Sequence, residues 1–251
     1  MPFTFAHPAL ILPLRYLPRT WFSFTGLIIG SIVPDLEYIV TNTRTFSHTY
    51  PGILWFNLPL ALLIAFIFHH ILRDKIISRL PGFMYRRFAR FEEFNWNLYF
   101  NKNKGIVILS ILLGTATHLF WDAFTNASGY FVIKFPVLQE IVQVVGTPMP
   151  LYILVWNLSS IAGILMLIIA IYLLPIAYKN RKYSIVWFWI FFMVVAVLLC
   201  CLFLIKFGYS DIDDVSITLF RSALLSLLLF AGFSKKTTIS RMRKDKNEVG
   251  I

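Results

Sequence analysis

Charge is what this sequence has least of. Only 14% of its 251 residues are Asp, Glu, Lys or Arg and 58% are hydrophobic, whereas a water-soluble domain carries about a quarter charged residues. The mean hydropathy of +0.73 excludes an ordinary soluble domain and leaves an integral membrane protein. Acid is scarcer than base, 12 residues against 23, for a formal charge of +11. That excess could suggest nucleic acid, but the basic residues gather between apolar runs, the pattern that orients a chain in a membrane. Nucleic-acid binding is discounted. Cysteine is nearly absent, and Cys200 and Cys201 adjoin within an apolar run, which excludes a disulfide framework or zinc knuckle and leaves lipid-facing or packing roles. There is no glycine-rich phosphate loop, nucleotide fingerprint or internal repeat. The first twenty residues have no positive charge before their apolar part and no small-residue cleavage site after it, so the segment is expected to be retained.

Long apolar runs are abundant. Six approach the twenty or so residues needed to cross about 30 Å of hydrocarbon: 21–40, 52–72, 105–125, 151–174, 185–207 and 215–233. The loop 73–104 carries Arg73, Lys75, Arg79, Arg86, Arg87, Arg90, Lys102 and Lys104 against Asp74, Glu92 and Glu93; Lys179, Arg181 and Lys182 follow the fourth run. With the basic tail, these segments are expected in the cytoplasm. The connections 41–51 and 126–150 and the turn with Asp211, Asp213 and Asp214 then face outward. The expected fold is all-α, a polytopic membrane protein of about six transmembrane helices with a cytoplasmic C-terminus. Its expected regions are a site-bearing half 1–136, a three-span half 137–233 and a disordered basic tail 234–251. All five histidines fall in the first of these.

The chemistry concentrates at G-T-A-T-H-L-F-W-D-A-F-T-N, residues 114–126. His118 and Asp122 are i and i+4 on one face of an otherwise apolar helix, with Thr125 near the same line, and ionisable groups there are costly. In G-S-I-V-P-D-L-E-Y, Pro34 lacks the donor that would bond the Gly30 carbonyl. Asp35 follows that break, with Glu37 two residues on. By helical rise Asp35 and His118 lie level, roughly 20 Å from the cytoplasmic ends of their spans. His48, in the short outer connection, can reach down to Asp35. His7 can join them if 7–19 forms a short helix that turns at 18–20 and returns along 21–35. Imidazole and carboxylate ligands without thiolate suit zinc first, with manganese or iron as alternatives. A second metal and Glu37 as general base are both open. The plainer readings are a hydrogen-bonded packing histidine at 118, a helix cap at Asp35 and an interfacial Glu37. His69 and His70 are expected at the cytoplasmic headgroups.

M-P-F-T-F-A-H-P, G-S-I-V-P-D-L-E-Y, F-S-H-T-Y-P-G with N-L-P-L-A, and T-H-L-F-W-D-A-F-T resemble the bacterial integral membrane family DUF4184. The resemblance runs through nearly the whole chain and is strongest before about residue 136. More distantly, the order His, Pro-Asp, Phe-x-His-[Ser/Thr], His-x-x-x-Asp-x-x-Thr is similar to the membrane-bound metal-dependent hydrolases of the YdjM type, themselves reminiscent of zinc-dependent phospholipase C. That similarity implies His7, Asp35, His48, His118 and Asp122 as metal ligands, with Glu37 where a second acid often stands. Residues 126–128 read N-A-S where relatives often have a further His or acid, which weakens the case for a second metal. The leading expectation is a bacterial cytoplasmic membrane protein that hydrolyses a phosphoester or other bond of a lipid or lipid-linked substrate; the resemblance implies the metal site, and the depth of that site motivates the lipid. Two alternatives use the same residues: a cation or proton-coupled transporter or channel, and a scaffold with a structural metal.

Overall fold

The structure, a computed structural model, describes residues 3–18, 20–41, 45–178, 185–208 and 212–233. Arg44, the basic run with Lys179, Arg181 and Lys182, Asp211 and the tail 234–251 lie outside the described residues. Apart from one two-stranded hairpin, the regular structure among the described residues is helical. Four helices are long and apolar enough to cross a membrane: Tyr50–Ile77, Lys104–Lys134, Leu151–Tyr172 and Val186–Lys206. At 1.5 Å per residue, a helix of about 22 residues reaches roughly 33 Å, enough for the hydrocarbon layer. The fold is all-α and of membrane type.

One of the six expected runs differs from a continuous helix. The last run forms the single helix Ile212–Phe233. The first divides into Phe24–Gly30 and Val33–Thr41, and proline explains the division. With no N–H at Pro34 the helix cannot continue through it, and the chain passes a turn in which Ser31 N donates to Leu27 O and Ile32 N to Ile29 O. Before this pair runs the short helix Thr4–Tyr16, wound as a 3-10 helix and interrupted by Pro8 and Pro13. A turn then follows, in which Trp21 N donates to Pro18 O.

The chain forms two compact units, 1–65 with 99–173 and 66–98 with 174–251. In the first, Phe24–Gly30 lies directly on Lys104–Thr125 because glycine removes the side chains between them. A Cβ on Gly30 would enter the Ile111 carbonyl, and one on Gly114 the Leu27 carbonyl. Small residues permit this close helix approach in membranes. Ser23 N, donating to Ser110 Oγ at 2.8 Å, fixes the far end. The N-terminal helix packs on Leu151–Tyr172, where Gly163 leaves room for Ala6, Phe3 N donates to Ser160 Oγ and Trp121 Nε1 donates to Ser159 Oγ. The fourth apolar run thus belongs to the unit that holds the N-terminal histidine.

In the second unit, the basic segment expected as a loop is largely helical, with Gly82–Phe88 and Ala89–Glu93. Ile77, Tyr85 and Ala89 form its small core with Leu80, Phe88 and Ala177 packed against it. Val186–Phe207 and Ile212–Phe233 pair through the edge contact of Phe188 with Phe230 and the Ser226 hydroxyl donating to Phe192 O. His69 is buried and stacked on Trp96 at 4.4 Å, while His70 is exposed.

Candidate metal centre

The broken first run builds the centre. The carbonyl freed at Gly30 accepts from the Thr115 hydroxyl at 3.2 Å, and the next one, Ser31 O, accepts from His118 Nδ1 at 2.8 Å. A carbonyl only accepts, so Nδ1 carries a proton, and in the neutral imidazole the lone pair is then on Nε2, which points the other way. It points towards two carboxylates: Asp122 Oδ2 lies 3.4 Å away, one turn up the same helix, and Asp35 Oδ1 lies 3.6 Å away. Asp35 comes within reach because Val33–Thr41 starts just after the break.

His7 and His48 close the group. The N-terminal helix stacks His7 on His118 with ring centroids 3.8 Å apart, sets it edge-on to Trp121 and leaves its Nε2 3.8 Å from Asp122 Oδ1. His48 Nε2 lies 3.3 Å from Asp122 Oδ2. All five side chains expected as ligands, His7, Asp35, His48, His118 and Asp122, therefore come together, and they come from four separate segments. His7 and His118 are fully enclosed, whereas the side chain of His48 is 18% exposed. His48 marks the open side.

Five of these atoms are close to one another but not hydrogen-bonded. Asp35 Oδ1, His48 Nε2, His118 Nε2 and both Asp122 oxygens are buried without a hydrogen-bond partner. Charge-assisted contacts between such groups close to about 2.7–2.9 Å; here the separations run from 3.3 to 3.8 Å. An imidazole nitrogen facing carboxylate oxygens in an enclosed site is unfavourable unless positive charge lies among them, either a metal ion or the proton of an imidazolium. Two ligands each about 2.1 Å from one tetrahedral ion are about 3.4 Å apart, and the donor set of imidazole and carboxylate suits zinc. The residues thus fit a divalent ion. Two donor sets satisfy mutual distances within 4.8 Å, His48 with His118 and Asp122, and His7 with Asp35 and His118. One imidazole lone pair serves one ion, and Asp122 turns a different oxygen to His7 than to His48 and His118. The set accommodates a single ion or a carboxylate-bridged pair.

Glu37, expected as a ligand or general base, is committed elsewhere. Its buried carboxylate accepts from three successive backbone donors, Thr45 N, Phe46 N and Ser47 N, at 3.1, 3.1 and 2.7 Å. Three N–H bonds occupy most of the acceptor capacity of a carboxylate and fix the loop that presents His48. Asn57 Nδ2 holds the same loop through Ser47 O at 2.7 Å, and the Ser47 hydroxyl meets His48 Nδ1 at 2.9 Å. Asp35 has a comparable support: the Thr4 hydroxyl donates to its Oδ2 at 2.6 Å. Sequence reading missed Thr4, Ser31, Ser47, Asn57, Thr115 and Trp121. Only Thr115, one turn before His118 on its helix, carried a local signal.

The profile of the family described as a domain of unknown function, DUF4184, matches residues 1–232, and the chain belongs to that family. Searches of curated proteins and of solved structures gave no match.

Proposed function

We propose that this member of the DUF4184 family is a membrane metallohydrolase acting on a phosphoester or another bond of a lipid or lipid-linked molecule. One observation carries the proposal: five histidine and aspartate side chains converge within a unit of membrane-type helices, and most of their facing atoms lack hydrogen bonds. Buried atoms without a partner occur singly elsewhere, as at Asn57 Oδ1 and Trp156 Nε1, whereas here five of them face one another.

His118, Asp122, Asp35, His7 and His48 hold the metal, zinc first and manganese or iron next. When bound, it supplies Lewis acidity to the scissile bond and to water. The chain's residues do the rest. Ser31 O fixes the tautomer and orientation of His118, the hydroxyl of Thr4 orients Asp35, and Trp121 with the N-terminal helix walls the enclosed side against water. His48, on the open side, would give its Nε2 to the metal while its Nδ1 meets the Ser47 hydroxyl, so it fixes the edge of the centre that water and substrate reach. Among the described residues no Lys or Arg forms an ion pair with the cluster, so the negative charge of a phosphoester would be met by the metal. The apolar surround motivates a lipid substrate, and the positive-inside pattern supports an orientation with the C-terminus and the basic segment 73–104 in the cytoplasm.

The test begins with protein purified in detergent under metal-replete conditions. Bound metal is measured for the wild type, His118→Ala and Asp122→Ala. Stoichiometric metal lost from both variants, with hydrolysis in a screen of phospholipids and lipid phosphates, supports the proposal. A wild type without metal removes it. Metal without turnover, together with cation flux in liposomes, replaces it with a transporter built on the same residues.

A further inference from the structure

The connection 126–150 carries an apolar surface that the metal centre does not use. It leaves the end of the helix bearing His118 and Asp122, forms the short helix Tyr130–Lys134 and the turn Pro136–Gln139, and ends in a hairpin of Ile141–Val144 and Thr147–Pro150. Tyr130, Ile133, Phe135, Val137, Ile141 and Val145 are all exposed. The only charges in the segment are Lys134 and Glu140.

The tip is the most telling part. Val145 and Gly146 make the two-residue turn, with φ of 50° and 79°. Such turns favour Asn-Gly or Asp-Gly, because both central residues take positive φ. A β-branched residue there is strained, and this one is fully exposed at 101%. The backbone strain is the same in any surroundings, but the fully exposed side chain is unfavourable in water.

Two features select the covering partner. The segment is tethered at both ends to long apolar helices of candidate membrane spans, Lys104–Thr125 and Leu151–Tyr172, so its apolar residues adjoin surfaces of lipid-facing composition. The Thr147–Pro150 edge of the hairpin, in contrast, is closed to a strand from another copy. Leu151 N donates to Glu140 O, so 149 and 151 are in the phase directed at the partner strand. Pro148 and Pro150 fall on the alternate, outward phase, where they offer no N–H to a third strand.

We infer that the 130–146 segment docks in the outer headgroup and acyl boundary of the bilayer, with Val145 as its inserted tip. Interfacial elements of this composition sink about 5–10 Å below the headgroups. The inference stands independently of any metal.

The experiment places a cysteine at Val145→Cys in a Cys200→Ala, Cys201→Ala background, labels it with an environment-sensitive fluorophore and reconstitutes the full chain in phosphatidylcholine–phosphatidylglycerol vesicles. Ile141→Cys supplies a second labelled site should the tip variant fail to fold. The expected result is a blue-shifted emission quenched about twofold or more by spin-labelled lipid relative to aqueous iodide, as burial at that depth requires. Quenching by iodide alone, or emission that responds to protein-to-lipid ratio and not to spin-labelled lipid, overturns the inference; the latter assigns the surface to a second copy.

Discussion

Two buried histidines, His118 and His69, show how differently the same side chain is used in the two units. His69 belongs to a closed network. Its Nδ1 lies 3.1 Å from Arg73 Nη1, its ring stacks on Trp96, and the buried Arg73 also donates to Asp74 Oδ1, Phe94 O and Glu92 O. The arginine spreads its donors over four acceptors supplied by the chain itself. His118 has one nitrogen satisfied by Ser31 O and the other turned towards Asp35 and Asp122 without a hydrogen bond. Burial and polarity are common to both, so neither marks a ligand site. The difference lies in what remains unsatisfied, because an enclosed polar network that does not close on itself is unfavourable until something completes it.

The most forceful way to break this comparison is to remove what completes the His118 group. A ligand present at about 1,000 times its Kd stabilises the native state by about 4 kcal/mol. Adding a strong chelator to the metal-loaded wild type is therefore expected to lower its melting temperature in detergent. His118→Ala, having lost the ion already, should show no chelator response. If the variant responds as the wild type does, the ion sits elsewhere and the orphaned atoms have another explanation.

How much of this was legible in the chain depends on the range of the interaction. The i, i+4 pair His118 and Asp122 lies within one helix and follows directly from its periodicity. The break at Pro34 is equally local, and the hairpin needed for His7 follows from counting residues back from Asp35. The partners of these groups are a different matter. Thr4 reaches Asp35 across 31 positions and Ser31 reaches His118 across 87, and no spacing rule connects such residues. The contribution of Ser159, Ser160 and Gly163 was hidden for a similar reason: in a helix of almost uniform hydrophobicity, small residues look like filler until the element they admit is known. The hairpin 141–150 escaped because its tip carries valine in place of a turn-forming residue.

A weaker perturbation sharpens the comparison by acting through Glu37. Replacing it with Gln removes the negative charge and turns an NH2 donor towards a loop that presents donors of its own at Thr45, Phe46 and Ser47. Loss of such supporting groups typically costs 10- to 100-fold in metal affinity, and competition against a fluorescent chelator would measure it. A carboxylate acting only as general base would leave affinity unchanged. Weakening in Glu37→Gln thus identifies a positioning residue, and unchanged affinity with lost turnover restores the base expected from the sequence.

The smallest effect on the centre is expected from His69→Ala. The substitution takes one acceptor from Arg73 and the stacked ring from Trp96, leaving the arginine its bonds to Asp74 and to the carbonyls of Phe94 and Glu92. Loss of one partner from a buried hydrogen-bonded pair costs about 1–3 kcal/mol, so the melting temperature should fall. Metal content should stay at the wild-type value, and the chelator-induced shift should persist at its full size. A destabilised protein that still binds its ion would separate the two uses of buried histidine within one chain. Loss of the ion on removing His69 would mean that satisfaction of hydrogen bonds does not distinguish a packing histidine from a ligand in this protein.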